Sequence, residues 1–523
     1  MKNISLIDLS IVAVYLVLMI GVGLWFSRKN KTSENFTRAL GRIPGWAIGI
    51  SLYATFLSSN TFIGVPGKAF GSNWSSLVFS LAMPFSAWVA ARFFVPYYRR
   101  IGGISAYSNL ESRFGSWARI YAVVCFILMQ FARMGSIFFG TALTLQAFTG
   151  YSMAPIMLVT GICIIIYTVL GGIEAVIWTE VIQAILKTVG GLAIILIIFS
   201  ELPAPVQTIF EVGMRDNKFS LGSLSFDLTT SSFLVVFLYG FFMNIKAFGF
   251  DQNYVQRYHT AVSEKEAVSS VWLCVKLYVP ISLMFFFLGT CLYTYYDSHP
   301  EALLPVKINA ATEILPAGAS ASEIAARAAI LKPSDYGDKV MPYFIVNMLP
   351  VGLVGLIISA LLSAAMSTIS SGMNASATVF LEDIYKRHIN PGITEKQGLK
   401  LLYVGTAVFG LIGMGFGIAM IGAKSILDLW WELSGIFAGG MLGLFLLGFI
   451  SDKVSNSTAV ISTIAGILVI LWMALSKLIP DDYQFLKNTL HANMIIVVGT
   501  LVIFSTGMGI TWLKALKKEE SAE

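Results

Sequence analysis

Charge is scarce in this sequence of 523 residues. Only 12% of the residues are charged, whereas 56% are hydrophobic and the mean hydropathy is +0.76. Soluble chains typically have about 25% charged residues, so the composition excludes a soluble globular enzyme. The net charge of +6 is small and dispersed, which argues against a nucleic-acid partner. The composition predicts a polytopic protein embedded in the lipid bilayer.

Cysteine and histidine are also rare, with four of each. The cysteines lie inside apolar runs without C-x-x-C spacing, which is typical of packing residues rather than metal ligands. The histidines show no metal-binding spacing, and the sequence contains neither a G-x-x-x-x-G-K-[ST] loop nor a Ser/His/Asp grouping. We therefore expect neither an enzyme nor an ATP-driven pump, and an ion gradient is the remaining energy source.

Long apolar runs dominate what is present. Thirteen runs are long enough to cross a bilayer as helices, at about 20 residues per crossing. The runs lie near 8–27, 46–70, 75–97, 117–148, 153–170, 177–200, 231–253, 268–296, 350–382, 398–421, 425–450, 457–477 and 490–513.

The distribution of lysine and arginine predicts the orientation in the membrane. With the N-terminus outside, nineteen of the 35 cations fall on the inner side, and the bias increases when only short loops are counted. We therefore expect a multi-pass protein of the cell's inner (plasma) membrane, with its N-terminus outside and its C-terminus in the cytoplasm.

The chain divides into two halves of five predicted helices each, 46–200 and 231–450. Each half opens with a polar interruption, at 51–61 and at 244–252. Paired discontinuous helices indicate an inverted-repeat transporter with a site near the bilayer midplane. Close packing of small and polar residues is the alternative reading. The remaining segments are 1–45 with one extra helix and an inner loop, the outer loop 201–230, and 451–523 with two helices and a short tail.

A third polar stretch, 363–374, places hydroxyl groups along one helix. Residues at i, i+3, i+4 and i+7 share a helical face. These residues are Ala364, Ser367, Thr368 and Ser371, with Ser370 beside them. Hydroxyls, together with carbonyls freed by an unwound helix near 54–57, are suitable ligands for Na⁺. Back-bonding of the hydroxyls to carbonyls of their own helix is the alternative.

Ionisable residues inside predicted spans are costly and therefore indicate function. Arg133 offers a bidentate guanidinium to a carboxylate, although an ion pair with another helix is also possible. Glu180 and Lys187 lie seven residues apart on one predicted span. Lys246 and Lys276 would either bind a substrate or form an ion pair, with Asp251 or Glu432 as partners.

Two segments carry a resemblance to a known family. The run 171–183, Gly-Gly-Ile-Glu-Ala-Val-Ile-Trp-Thr-Glu-Val-Ile-Gln, and the run 255–257, Val-Gln-Arg, are similar to motifs of the sodium/solute symporter family. The likeness extends over about 5–513. It implies the LeuT-type fold of about thirteen helices, a 5+5 inverted repeat with one extra N-terminal and two extra C-terminal helices. It also implies symport of a small solute with Na⁺ as the coupling ion.

The resemblance also implies two sodium sites. The shared site would use carbonyls and hydroxyls of Ala54, Leu57, Ala364, Ser367 and Thr368. A second site, found in some members, would use Ser370, Ser371 and Glu180. Those members usually have aspartate at the position of Glu180, so the number of sodium ions stays open.

The run 57–74, together with Arg133, is most similar to the bacterial sialic acid transporters. The resemblance implies a pocket for a carboxylated sugar, with Phe56 and Ser80 replacing a threonine and a glutamine of those transporters. Its residues would be Phe56, Ser58, Thr61, Ser80, Arg133, Phe248 and Lys276. A neutral sugar, a polyol or another monocarboxylate is the alternative substrate. Galactose transporters share Lys276 but have glutamine and glutamate at the positions of Thr61 and Ser80, so a galactose-type site fits less well.

Overall fold

The computed structural model describes residues 5–28, 32–316, 318–421 and 426–520. Over these residues the chain is helical, and its one isolated β-bridge joins Ile43 and Ala261. Eleven helices are long and apolar enough to cross a membrane, and one further pair of helices, bent by 62°, meets the same criterion as a unit. The predicted all-helical, multi-pass membrane architecture is confirmed.

The principal helices are numbered here in chain order. They are α1 (Leu6–Ser27), α2 (Gly45–Phe56), α3 (Val65–Gly71), α4 (Trp74–Ile101), α5 (Ser116–Thr149), α6 (Met153–Glu201), α7 (Phe233–Phe250), α8 (Gln252–Thr260), α9 (Glu264–Ser298), α10 (Leu353–Val379), α11 (Glu395–Ala419), α12 (Ile426–Ile450), α13 (Asn456–Leu475) and α14 (Met494–Glu520). Shorter helices at the ends of the bundle are Ser33–Arg38, Ser108–Phe114, Pro205–Arg215, Pro300–Ile314, Ala321–Ile330 and Pro333–Met348.

Both polar interruptions coincide with breaks in helices. Helix α2 ends at Phe56, and Leu57 leaves the helical conformation with φ −84° and ψ 78°. The second break follows α7, where Asp251 is extended with φ −77° and ψ 121°. The Asp251 side chain then caps α8 by accepting a hydrogen bond from the Asn253 amide at 3.0 Å. The expected discontinuous helices are therefore present at both positions.

Helix α6 contains two of the predicted runs, 153–170 and 177–200, in one element of 49 residues. The element bends at Gly172, which has φ 60° and ψ −168°. Residues with a Cβ are strained in this conformation, so glycine is required at the bend. The two runs are thus joined directly, without a loop.

Helix α10, which carries the predicted hydroxyl face, is the most enclosed of the candidate spans, with 89% of its most apolar window buried. Its N-terminal end is held by Asp8 of α1. A carboxylate oxygen of Asp8 accepts hydrogen bonds from the amides of Gly352 and Gly355, both at 2.8 Å. A negative charge is favourable there because amide groups at a helix N-terminus lack partners.

The segment between α6 and α7 folds back onto the end of α3. The Lys218 ammonium donates to the carbonyls of Phe70 at 2.7 Å and Ser72 at 3.1 Å. It also lies 3.6 Å from the centre of the Tyr293 ring on α9. Burial in this position lowers the pKa of Lys218 to about 8. The segment therefore fastens the second half of the broken α2–α3 pair to α9.

Replacing Asp8 by alanine removes both capping hydrogen bonds from α10. Hydrogen bonds to a charged group contribute about 1.5–3 kcal/mol each, so we expect the Asp8→Ala variant to unfold several degrees below the wild type. The melting temperature of the purified protein in detergent measures this effect. Asp482→Ala, at an exposed position, is the matched control and should melt with the wild type. Equal melting temperatures for both variants would contradict a stabilising role for Asp8.

Candidate functional site

A cavity of about 100 Å³ lies beside the two helix breaks, between α2–α3, α4, α5, α7 and α9. Its wall contains both apolar and polar side chains. The lining residues are Phe56, Ser58, Thr61, Val65, Ser76, Phe79, Ser80, Arg133, Ile137, Met243, Asn244, Lys246, Ala247, Asp251, Tyr254, Tyr278, Ser282, Phe286 and Trp431.

Five of the seven residues predicted for the substrate pocket line this cavity: Phe56, Ser58, Thr61, Ser80 and Arg133. The Arg133 guanidinium donates to the carbonyl of Thr55 at 2.8 Å, so the arginine is attached to the backbone at the first helix break. The hydroxyl oxygens of Ser80 and Ser282 are 2.7 Å apart across the cavity wall. The pocket thus combines a positive charge with several hydroxyl groups.

Aromatic rings cluster around Phe56 in the cavity wall. The ring centre of Phe56 lies 4.8 Å from that of Tyr254 and 5.3 Å from that of Tyr278. Phe248, the sixth predicted pocket residue, is fully buried behind Phe56 at 5.5 Å and does not line the cavity. Its contact with a substrate would therefore be indirect, through the position of the Phe56 ring.

The prediction that Lys276 binds substrate is wrong for this structure. Lys276 is exposed on α9 and is not among the lining residues. Tyr278, two positions further on, faces the cavity, and residues two apart on a helix point in nearly opposite directions. The i, i+4 pair of Tyr278 and Ser282, both polar and within an apolar span, was the signal that marks the inner face of α9.

The structure pairs Lys246 with Asp251, one of its two expected partners. The Lys246 ammonium lies 2.5 Å from a carboxylate oxygen of Asp251, and both residues line the cavity at the second helix break. The ion pair keeps two buried charges neutral as a unit, which a low-dielectric environment requires. Lys246 thus lines the cavity and is held there by its ion pair with Asp251.

The residues predicted for the shared sodium site come together where α2 meets α10. The hydroxyl of Ser367 donates to the carbonyl of Ala54 at 3.3 Å, and that of Thr368 to the carbonyl of Thr55 at 3.5 Å. Both hydroxyls also lie within 3.4 Å of the Ala364 carbonyl. The two hydroxyls therefore back-bond within α10 and also contact carbonyls at the end of α2, and the sodium site stays a prediction.

The ammonium of Lys187 lies inside this group of oxygens. Its nitrogen is 2.9 Å from the carbonyl oxygen of Ala54, 2.9 Å from that of Leu57 and 3.0 Å from the hydroxyl of Ser367. Helix α6 thus delivers a positive charge to the position that the resemblance assigns to sodium. The sequence predicts that Lys187 lies on a membrane-spanning helix, as it does. It does not indicate this contact, because one sequence does not specify which carbonyls a buried lysine reaches.

The oxygen set suits Na⁺ in kind, since carbonyls and hydroxyls are hard, neutral ligands. Among the described residues, no group of three His, Cys, Asp or Glu side chains could hold a metal ion, so neutral oxygens are the relevant donors. A sodium ion about 3 Å from the Lys187 ammonium would be repelled by about 5 kcal/mol at an effective dielectric constant of 20. The oxygens therefore fit one cation at a time.

Two of the three residues predicted for the second sodium site, Glu180 and Ser371, bind a guanidinium. Arg257 of α8 donates to both carboxylate oxygens of Glu180 at 2.8 Å and to the hydroxyl of Ser371 at 2.7 Å. Ser51 of α2 bonds to the same carboxylate and accepts from Arg257. The Ser370 hydroxyl donates to the Ser367 carbonyl at 3.3 Å, within its own helix. The Ser371 hydroxyl also donates directly to a carboxylate oxygen of Glu180 at 2.5 Å, so the two residues are in contact, and Arg257 bonds to both.

The buried pair of Glu180 and Arg257 holds α2, α6, α8 and α10 together. Removing one partner of such a pair leaves an uncompensated charge and costs about 3–5 kcal/mol. We therefore expect Glu180→Gln and Arg257→Gln each to lower the melting temperature strongly, and the double variant to lower it by less than the sum. Glu313→Gln, which breaks the partly exposed pair with Lys339, should cost at most about 1 kcal/mol. Additive effects at 180 and 257 would contradict the pairing.

Comparison with known proteins agrees with this geometry. The model of the sodium:solute symporter family matches residues 36–466. The chain is 31% identical to the sodium/sialic acid symporter NanT of Aliivibrio fischeri, over 93% of this chain and 91% of that protein. It is also 31% identical to the sodium/sialic acid symporter SiaT of Proteus mirabilis, over 96% of this chain and 95% of that protein.

The fold is also similar to that of a sodium-coupled symporter. The structure of a Na⁺-coupled sialic acid symporter in a substrate-bound, outward-open state superposes with a TM-score of 0.84 at 30% sequence identity. The superposition covers 97% of this chain and 98% of that chain. These relatives are transporters and not enzymes, and the chain belongs to the sodium:solute symporter family.

Proposed function

We propose that this protein is a secondary active symporter that couples the inward flow of Na⁺ to the uptake of a carboxylated sugar such as sialic acid. The observation that carries the proposal is the position of Arg133. Its guanidinium lines the central cavity together with the hydroxyls of Ser58 and Thr61. A guanidinium binds a carboxylate with two parallel hydrogen bonds, and hydroxyls bind the polyol part of a sugar acid.

The aromatic rings in the cavity wall complement these polar side chains. Sugars expose apolar C–H faces that pack on aromatic rings, and the Phe56 ring is presented with Tyr254 and Tyr278 beside it. Phe56 and Ser80 are the positions at which this chain departs from the sialic acid transporters in its motifs. We expect these two residues to set which acid is preferred.

The shared sodium position and the pocket adjoin on one stretch of backbone, which supports coupling between them. The carbonyls of Ala54 and Leu57 face the cation position, and the carbonyl of Thr55 between them binds Arg133. A cation that fixes this stretch therefore also fixes the residue that would hold the solute carboxylate. Coupling is then a difference in solute affinity between states with and without the ion.

For the architecture we propose thirteen crossings, arranged as two five-helix repeats with one preceding and two following helices. Helix α6, with 49 residues, would be about 74 Å long if straight, more than twice the thickness of the hydrocarbon core. Its bend at Gly172 makes it two crossings. The repeats would be 46–200 and 231–450, each beginning with a broken helix. The N-terminus would lie outside, as the lysine and arginine distribution predicts.

Arg133→Ala tests the proposed substrate class. Removal of one partner of a buried charge pair costs at least about 2 kcal/mol, so we expect KM for uptake of an acidic sugar to rise by about thirtyfold or more. Uptake of N-acetylneuraminic acid into proteoliposomes with an inward sodium gradient is the measurement. Arg92→Ala, at an exposed position on α4, is the matched control and should transport normally.

Two results of this experiment would count against the proposal. Unchanged uptake by the Arg133→Ala variant would show that Arg133 does not bind a carboxylate and would favour a neutral sugar or a polyol. Uptake by the wild type that proceeds equally without a sodium gradient would exclude sodium-coupled symport.

A further inference from the structure

Lys187 combines three features that a structural lysine inside a membrane protein does not need. It is fully buried in the part of α6 that follows the bend at Gly172. It makes no ion pair with any carboxylate in the described part of the chain, where Glu180, on the same helix, is paired with Arg257. Its three hydrogen-bond partners are all neutral oxygens, and two of them are backbone carbonyls at the end of α2.

The surroundings of the ammonium match those of a bound monovalent cation. Buried ammonium groups are costly unless they are compensated, and in membrane proteins they normally pair with a carboxylate. Here the compensation comes from the carbonyl dipoles of Ala54 and Leu57 at the C-terminal end of α2 and from the hydroxyl of Ser367 on α10, which are among the ligands predicted for Na⁺. The three oxygens around the ammonium are neutral and hold one positive charge, as the oxygens of a sodium site of this kind would.

We propose that Lys187 is a tethered cation that fills the shared sodium position in this state of the protein, so that a sodium ion enters only when the ammonium withdraws. The inference rests on the proposed function, since it concerns the coupling ion of the same transporter. It adds a residue that determines the sodium affinity, and with it the sodium concentration at which transport operates.

The tether makes the competition effective. A group held on the same chain competes at an effective concentration in the millimolar range or above, without any free competitor in solution. The four-carbon stem of lysine also lets the ammonium leave the oxygens without movement of α6. Sodium binding at this position therefore includes the breaking of three hydrogen bonds, which lowers the apparent affinity for the ion.

The neutral variant Lys187→Met tests the proposal directly. The purified full-length protein is heated in a series of NaCl concentrations, with choline chloride keeping the ionic strength constant, at one pH and without any solute. Sodium that binds the folded state stabilises it by RT ln(1+[Na⁺]/Kd), so the melting temperature begins to rise when the NaCl concentration exceeds Kd. We expect the melting temperature of Lys187→Met to begin to rise at a NaCl concentration at least tenfold lower than that of the wild type.

Two further variants make the result specific to the charge at this position. Lys265→Met removes an exposed lysine outside the site and should respond to sodium like the wild type. Lys187→Gln keeps a hydrogen-bond donor but loses the charge, so it should show the same gain in sodium affinity as Lys187→Met. It also serves as the test if the methionine variant does not fold.

A folded neutral variant with the sodium response of the wild type, or a weaker one, would overturn the proposal and leave Lys187 a structural residue. This outcome differs from a failure of the proposed function, because the measurement contains no solute and does not depend on Arg133. If neither the wild type nor the two Lys187 variants responded to sodium, both the proposal on Lys187 and the proposed sodium-coupled function would be overturned.

Discussion

The backbone at the end of α2 is the constraint on which the site depends. Inside a bilayer, a carbonyl that loses its helical partner must find another donor, because no water replaces it. The amide of Ser58 turns to the carbonyl of Phe56 instead of continuing the helix. The carbonyls of Ala54 and Thr55 then accept from Lys187 and Arg133, on two different helices. One helix break therefore recruits both of the cationic side chains that define the site.

The arrangement of these cations gives the site its physical character. Arg257 is neutralised by Glu180 and Lys246 by Asp251, so each helix break has a closed ion pair beside it. Lys187 instead rests on neutral oxygens, and Arg133 faces a cavity rich in hydroxyls. The two ion pairs hold helices together. The proposed roles, exchange with sodium and binding of a carboxylate, fall on Lys187 and Arg133.

Much of this was predictable from the sequence, because polar residues within apolar runs are costly and therefore informative. The breaks near 51–61 and 244–252, the hydroxyl face of α10 and the pocket position of Arg133 all follow from that rule. The direct joining of two runs at Gly172 was not predictable, since a glycine pair is common and its φ is a property of the fold. The contacts of Lys187 and the outward direction of Lys276 depend on helix rotation, which tertiary packing decides.

The bend at Gly172 has a consequence for how this protein tolerates change. Two long apolar runs are joined there with no intervening loop, so an inserted residue could not be accommodated in a loop. Insertions, tags and cleavage sites are accepted where a connection is long and exposed, as in the segment between α6 and α7. At Gly172 even the addition of a methyl group would strain the chain. We therefore expect no insertions or deletions at this junction, including in homologous chains that differ elsewhere.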